Sequence, residues 1–194
     1  MKKVIKNGLA MVVMLTTMFS YANEFVGADL LKDDITNVTF ENVTEGSVLT
    51  IKDLNGLVLY KETILEQGVY SKEFDLTALP DGDYIFEMDK EFEIKIIPFK
   101  VKMNKVHFKK ELQSVTFKPS VVIEKGLVKI QKSMPDKSPL QIKVFYENGD
   151  LVYTEKVENK FVFNKTLDFS SSLKGEYRIV MSTPSRIFEN RINL

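Results

Sequence analysis

Any catalysis in this chain would have to come from carboxylates and lysines. The sequence has one histidine, His107, and no cysteine. A thiol nucleophile is therefore excluded, as is a zinc site built from several histidines or thiolates. A serine–histidine–aspartate arrangement would have to recruit His107, and no Gly-x-Ser-x-Gly elbow accompanies it. Carboxylate pairs can hydrolyse glycosides, but the 27 acidic residues show no spacing that singles out two. Asp53-Leu54-Asn55-Gly56 and Asp81-Gly82-Asp83 cluster oxygen ligands. Calcium takes about six to eight oxygens, spread over roughly 12 residues in an EF-hand. Neither cluster has that length, and turn chemistry accounts for both. The residues predict a non-enzyme with no catalytic, cofactor or metal site.

Lys100, Lys102, Lys105, Lys109 and Lys110 surround His107 and form the one basic concentration. They could contact an acidic polysaccharide or a lipid headgroup. Lysines along a strand edge also keep exported sheets from pairing with one another. Glu91, Glu93 and Glu111 dilute the patch, and edge protection is the reading adopted.

The elements that would position these groups come in two copies. Asn55-Gly56 recurs 93 residues later as Asn148-Gly149, Tyr60 as Tyr153, Glu62 as Glu155 and Asp75 as Asp168. Gly82 and Tyr84 recur as Gly175 and Tyr177, and nine of 39 aligned positions are identical without a gap. A period this long suits tandem domains better than solenoid units. Leu49 and Ile51 alternate with Thr50 and Lys52, the period of a half-buried strand. Asn-Gly between apolar runs then predicts a hairpin with a type I′ turn in each copy. Further strands are expected near Val38–Phe40, Tyr84–Met88, Phe92–Ile97, Ser114–Phe117, Leu127–Gln131, Tyr177–Met181 and Ile187–Ile192. Thr63–Gly68 reads as one helical turn or a loop. The fold class is all-β, two tandem immunoglobulin-like antiparallel sandwiches, with a join placed at Met103. At the Gly-x-Tyr positions, Tyr84 and Tyr177 read as buried corner tyrosines whose hydroxyls return to nearby backbone. The other reading makes them exposed rings that stack on a ligand.

The first 22 residues read as a secretory leader. Lys2, Lys3 and Lys6 precede the apolar run Leu9–Phe19, and Ser20-Tyr21-Ala22 places small residues for cleavage between Ala22 and Asn23. The run is about half the ~20 residues needed to span a bilayer, and no later segment is long and apolar enough. The domains are then 23–103 and 104–194. Without the leader, 24 basic residues face 27 acidic ones, a net charge of about −3. That balance argues against nucleic acid, whose phosphates demand a basic surface. Two units of this size can fold on hydrophobic burial without disulfides.

Val48–Tyr60 followed by Phe74–Tyr84 resembles the hairpin and corner of immunoglobulin-like modules in secreted Bacteroidota proteins. The nearest resemblance is to the C-terminal sorting domain of type IX secretion. It implies a seven-stranded sandwich on an extracytoplasmic protein. Two copies fill the mature chain, and the end Phe188–Leu194 lacks the lysine-containing strand of such a tail, so the fold carries over better than the sorting role. The sequence thus predicts a periplasmic or secreted binding or structural protein with a protein or glycan partner. A periplasmic chaperone or secretion-associated protein is the first alternative, and a glycan-active hydrolase the second.

Overall fold

A computed structural model describes residues 28–31 and 35–194; Ala22, Asn23 and the leader lie outside them. The first set of strands is β1 Ala28–Leu31, β2 Ile35–Val43, β3 Val48–Asp53, β4 Val58–Thr63, β5 Gly68–Asp75, β6 Gly82–Asp89, β7 Glu93–Lys102, β8 Lys105–Phe108 and β9 Ser114–Phe117. The second is β10 Ser120–Glu124, β11 Leu127–Ser133, β12 Leu140–Tyr146, β13 Leu151–Val157, β14 Val162–Asp168, β15 Glu176–Ser182 and β16 Ile187–Asn193. Among the described residues there is no α-helix, and the chain between Thr63 and Gly68 is a loop.

The same strand order recurs in both halves. One sheet runs β1-β2-β5 and, in the second half, β10-β11-β14; the facing sheet runs β4-β3-β6-β7 and β13-β12-β15-β16. Neighbours pair antiparallel throughout. This is the layout of an immunoglobulin-like sandwich, with sequence-adjacent strands shared between two packed sheets. Period-two alternation supplies each core. Leu49, Ile51, Phe86, Met88 and Phe99 are buried between the first pair of sheets, and Val128, Ile142, Val144, Tyr177 and Ile179 between the second. The first core is aromatic: Phe86 lies 5.3 Å from Phe74, 5.1 Å from Phe99 and 6.5 Å from Phe108, centroid to centroid.

The Asn-Gly turns differ from the type I′ expectation. Only the glycines adopt positive φ, 88° at Gly56 and 91° at Gly149; Asn55 and Asn148 do not. The Gly56 amide bonds the Asp53 carbonyl at 3.1 Å, and the Asp53 amide bonds the Leu57 carbonyl at 3.1 Å. This is a turn followed by a left-handed glycine, the bulged hairpin, and it shifts the register after Ile51 and after Val144. Two-residue turns with both residues left-handed lie elsewhere, at Lys125 (φ 50°) and Gly126 (φ 80°) and at Met103 (φ 49°) and Asn104 (φ 59°).

The second of these turns places Met103 inside the first sheet. β8 pairs with the C-terminal half of β7, Phe99 opposite Phe108, and β9 with its N-terminal half, Glu93 opposite Phe117. A division at Met103 would strip β7 of β8 and β9 and leave it paired with β6 alone. The second set of pairings begins only at Ser120. The uninterrupted alternation from Phe99 to Val106 hid the reversal, because Met-Asn carries no glycine.

Candidate functional site

Eight of the nine identities between the repeats are local structural devices. Asn55-Gly56 and Asn148-Gly149 close hairpins. Asp75 and Asp168 each accept the amide two residues on, from Thr77 at 3.1 Å and Ser170 at 2.9 Å. Tyr60, Glu62 and Lys72 form a cluster that recurs as Tyr153, Glu155 and Lys165. The Tyr60 hydroxyl donates to Glu62, Lys72 Nζ reaches Glu62 at 2.8 Å, and the Tyr70 hydroxyl adds a third donor at 2.7 Å. In the second copy Tyr153 donates to Glu155 and Lys165 pairs with it at 3.0 Å. β4 and β5 belong to facing sheets, so each cluster ties one side of a sandwich together. Hydrogen bonds from Lys72, then Tyr60 and Tyr70, hold the Glu62 carboxyl down to about 2. The shared lysine is visible in the sequence alignment, but a strand lysine reads there as solvated. The ninth identity, Val69 and Val162, is exposed in both copies.

The two Gly-x-Tyr pairs form matched corners. Tyr84 Oη donates to the Pro80 carbonyl at 2.8 Å and Tyr177 Oη to the Leu173 carbonyl at 2.9 Å. Both rings are buried, at 6% and 3% exposure. Gly82 leaves room for this contact: a Cβ there would sit 3.2 Å from the Tyr84 hydroxyl, so the ring would have to give by a few tenths of an ångström. Tyr84→Phe and Tyr177→Phe are each expected to lower stability by about 1 kcal/mol, the net worth of one part-buried hydrogen bond. Chemical denaturation of the full chain measures it.

The candidate chemistry of the first repeat is dispersed. Asp53 Oδ1 accepts the Asn55 and Leu57 amides at 2.9 and 2.8 Å, and Asp81 Oδ1 accepts the Met103 amide at 2.9 Å. These carboxylates hold turns. Among the described residues no cluster of three or more acidic, histidine or cysteine side chains is arranged for a metal. His107 is exposed on β8, opposite Lys100. Lys109 pairs with Asp83 at 2.7 Å. No described helix is long and apolar enough to cross a membrane.

The contact between the repeats centres on Glu87. Alternation along β6 sends Phe86 and Met88 inward and Glu87 to the outer face, yet its side chain is only 8% exposed. Lys52 Nζ lies 2.9 Å from one carboxylate oxygen, and Arg186 of the β15–β16 turn lies 2.6 Å from the other. The Thr183–Arg186 turn that presents this arginine closes on itself, with the Thr183 amide on the Arg186 carbonyl at 2.8 Å. Burial pushes the Glu87 carboxyl up, but hydrogen bonds from Arg186 and Lys52 outweigh it and leave a net downward shift. A second tie comes from Lys132, near the end of β11. Its ammonium donates to the Phe117 carbonyl at 2.6 Å and sits 4.8 Å from the Phe188 ring centroid. Lys118 pairs with Asp89 at 2.5 Å.

The far end of the second sandwich carries a cleft of about 510 Å³ between the β12–β13 and β14–β15 loops. Tyr146, Tyr153, Phe169 and Tyr177 form its aromatic wall, with Asp150 and Asp168 beside them. Tyr146 and Tyr177 rings lie 5.1 Å apart, and Phe169 meets Tyr177 edge-on at 4.9 Å. The Tyr146 hydroxyl donates to the Lys174 carbonyl at 2.9 Å. Sequence reasoning missed this place because loops 20 residues apart build it; Tyr146 and Asp150 replacing Asp53 and Leu57 were the available signal.

No family model and no curated protein matches the chain. Among solved structures it is similar to the BSP domain of a biofilm-associated protein, at 10% identity over 84% of this chain and 27% of that one, with a TM-score of 0.29. The FN1–FN3 domains of chicken CNTN1 match at 14% identity over 84% of this chain and 61% of that one, with a TM-score of 0.29. The human OSCAR ligand-binding domain matches at 10% identity over 82% and 88% of the two chains, with a TM-score of 0.25. This chain thus spans about a quarter of the first structure and three-fifths of the second. The fold assignment rests on strand order and pairing rather than on these superpositions.

Proposed function

We propose that this is an exported, non-enzymatic binding or structural protein whose two immunoglobulin-like sandwiches are held at a fixed mutual angle. The buried Glu87 bridge to Lys52 and Arg186 carries the reading, because it joins the repeats through desolvated charge rather than through a loose tether. The divide between them falls at Lys118–Pro119 in this reading. The leader sequence supports a periplasmic or secreted location, and the likeness to type IX sorting modules supports that setting rather than a sorting role. A protein or glycan of the cell envelope is the partner class.

The chaperone alternative is disfavoured by the pairing of its cations. Such a protein needs unpaired cations in its interdomain cleft as well as a free edge to accept a donated strand. Edge strands exist here, β4 and β16 among them, but Lys52 and Arg186 are both engaged by Glu87. Purified protein should leave glycosidase, esterase and peptidase substrates at background. Reproducible turnover, abolished by changing a single Asp or Glu, would overturn the non-enzyme reading.

A further inference from the structure

We propose that the cleft at the far end of the second sandwich is a binding site for the basic side chain, lysine or arginine, of a partner polypeptide. This deepens the binding-module reading and rests on it. Three observations converge on the ligand class.

The first is charge. The cleft lining contains two aspartates and no lysine, arginine or histidine. Glu147 adds a third carboxylate nearby, its Oε2 accepting the Glu176 amide at 3.3 Å. Hydrogen bonds from Ser170 hold Asp168 below the usual carboxylate range, so it stays ionised at neutral pH. The neighbouring cations are Lys165, already paired with Glu155 at 3.0 Å, and Lys174, exposed at the rim.

The second is the aromatic wall. The hydroxyls of Tyr146, Tyr153 and Tyr177 already donate within the chain, to the Lys174 carbonyl, Glu155 and the Leu173 carbonyl. Tyr177 and Phe169 are buried, so the π surface left to a ligand is that of the half-buried Tyr146 and Tyr153, and such surfaces attract cations. The chain itself shows the pairing: Lys165 stands 5.6 Å from the Tyr153 centroid and Arg178 4.6 Å from that of Phe145. A volume of about 510 Å³ holds a long basic side chain with the backbone either side of it.

The third is the contrast between repeats. The scaffold around the cleft, Asn148-Gly149, Asp168, Gly175 and Tyr177, is identical to the first copy. The lining is not. Tyr146, Asp150, Ser171 and Ser172 stand where the first copy has Asp53, Leu57, Ala78 and Leu79. Leu57, Ala78 and Leu79 have given way to Asp150, Ser171 and Ser172, and Asp53 to the Tyr146 ring, so on an unchanged frame the acid has moved and an aromatic face has been added at this end.

The test is an amide-shift NMR titration of the full mature chain with Nα-acetyl-lysine methylamide and Nα-acetyl-arginine methylamide. Nα-acetyl-norleucine methylamide and N-acetylglucosamine serve as neutral controls. The cationic probes should move the signals of Tyr146, Asp150 and Ser172, leave those of Asn55 and Leu57 in place, and weaken with added salt. Asp150→Asn keeps the shape of an exposed side chain and should lower affinity about tenfold, equivalent to ~1.4 kcal/mol. Equal or larger shifts with norleucine or the sugar would overturn the proposal, as would no shift with any probe or an Asp150→Asn variant that binds unchanged. Turnover in the substrate panel would instead remove the non-enzyme reading and leave a measured cation preference standing.

Discussion

Replacing Glu87 by alanine is expected to cost the full chain about 3 kcal/mol and to release the second sandwich from the first. Deleting one partner of a buried ion pair leaves the others desolvated and uncompensated, which costs roughly 3–5 kcal/mol. Lys52 and Arg186 are each 24% exposed, so partial hydration of the orphaned cations places the effect at the low end. Urea denaturation gives the stability, and small-angle scattering reads the change in shape. Arg186→Met in the Glu87→Ala background should add little, because the coupling is already gone. The pH dependence has a definite sign. Glu87 and Glu62 both have carboxyls shifted down from 4.5, Glu62 to about 2. Such groups contribute stability above the unfolded value and lose it as pH falls through the folded one. Wild-type protein should therefore lose stability between about pH 4.5 and pH 2, and Glu87→Gln should flatten part of that limb. An alanine variant with unchanged stability and scattering would show that the bridge does not hold the repeats together.

Ending the first unit at Met103 rather than Lys118 should be nearly as damaging. The shorter fragment, 23–103, loses Val106, 6% exposed in the core, and Phe108, whose ring lies 5.7 Å from that of Phe99. Two apolar side chains of this kind contribute about 1.5 kcal/mol or more each, so the fragment should be about 3 kcal/mol less stable than 23–118. It also bares the edge of β7, and bare edges pair with other chains. Calorimetry and light scattering on the two fragments decide it. Indistinguishable melting temperatures and no association of the shorter one would place β8 and β9 outside the folding unit.

The strand-and-turn plan was legible in the sequence wherever local pattern and final environment agree. Leu49 and Ile51 alternate with Thr50 and Lys52 because one face of β3 is core. Asn-Gly marked the hairpins, although a neighbouring turn residue, rather than Asn itself, sets their bulged geometry. β10 was invisible for the opposite reason: Val121, Val122 and Ile123 run together with no alternation, on an edge strand that is largely exposed. The long-range pieces were illegible on principle. Glu87 sits at an outward position of β6, and alternation assigns such a residue to solvent. Its partner Arg186 is 99 positions away, so only the packing of the second sandwich reveals the burial. The cleft belongs to loops, where no period exists to read.

The exit strand β9 also sets how the molecule would respond to tension. The chain leaves the first sandwich through β9, paired antiparallel with β7 from Ser114 opposite Ile96 to Phe117 opposite Glu93. A pull on the second sandwich along that strand loads the ladder in shear, so its hydrogen bonds must fail together instead of opening one by one like a zipper. Lys132 on the Phe117 carbonyl and Lys118 on Asp89 sit at the point where such a force enters. Under traction, the first unit is therefore braced at its outlet by its own extra strands.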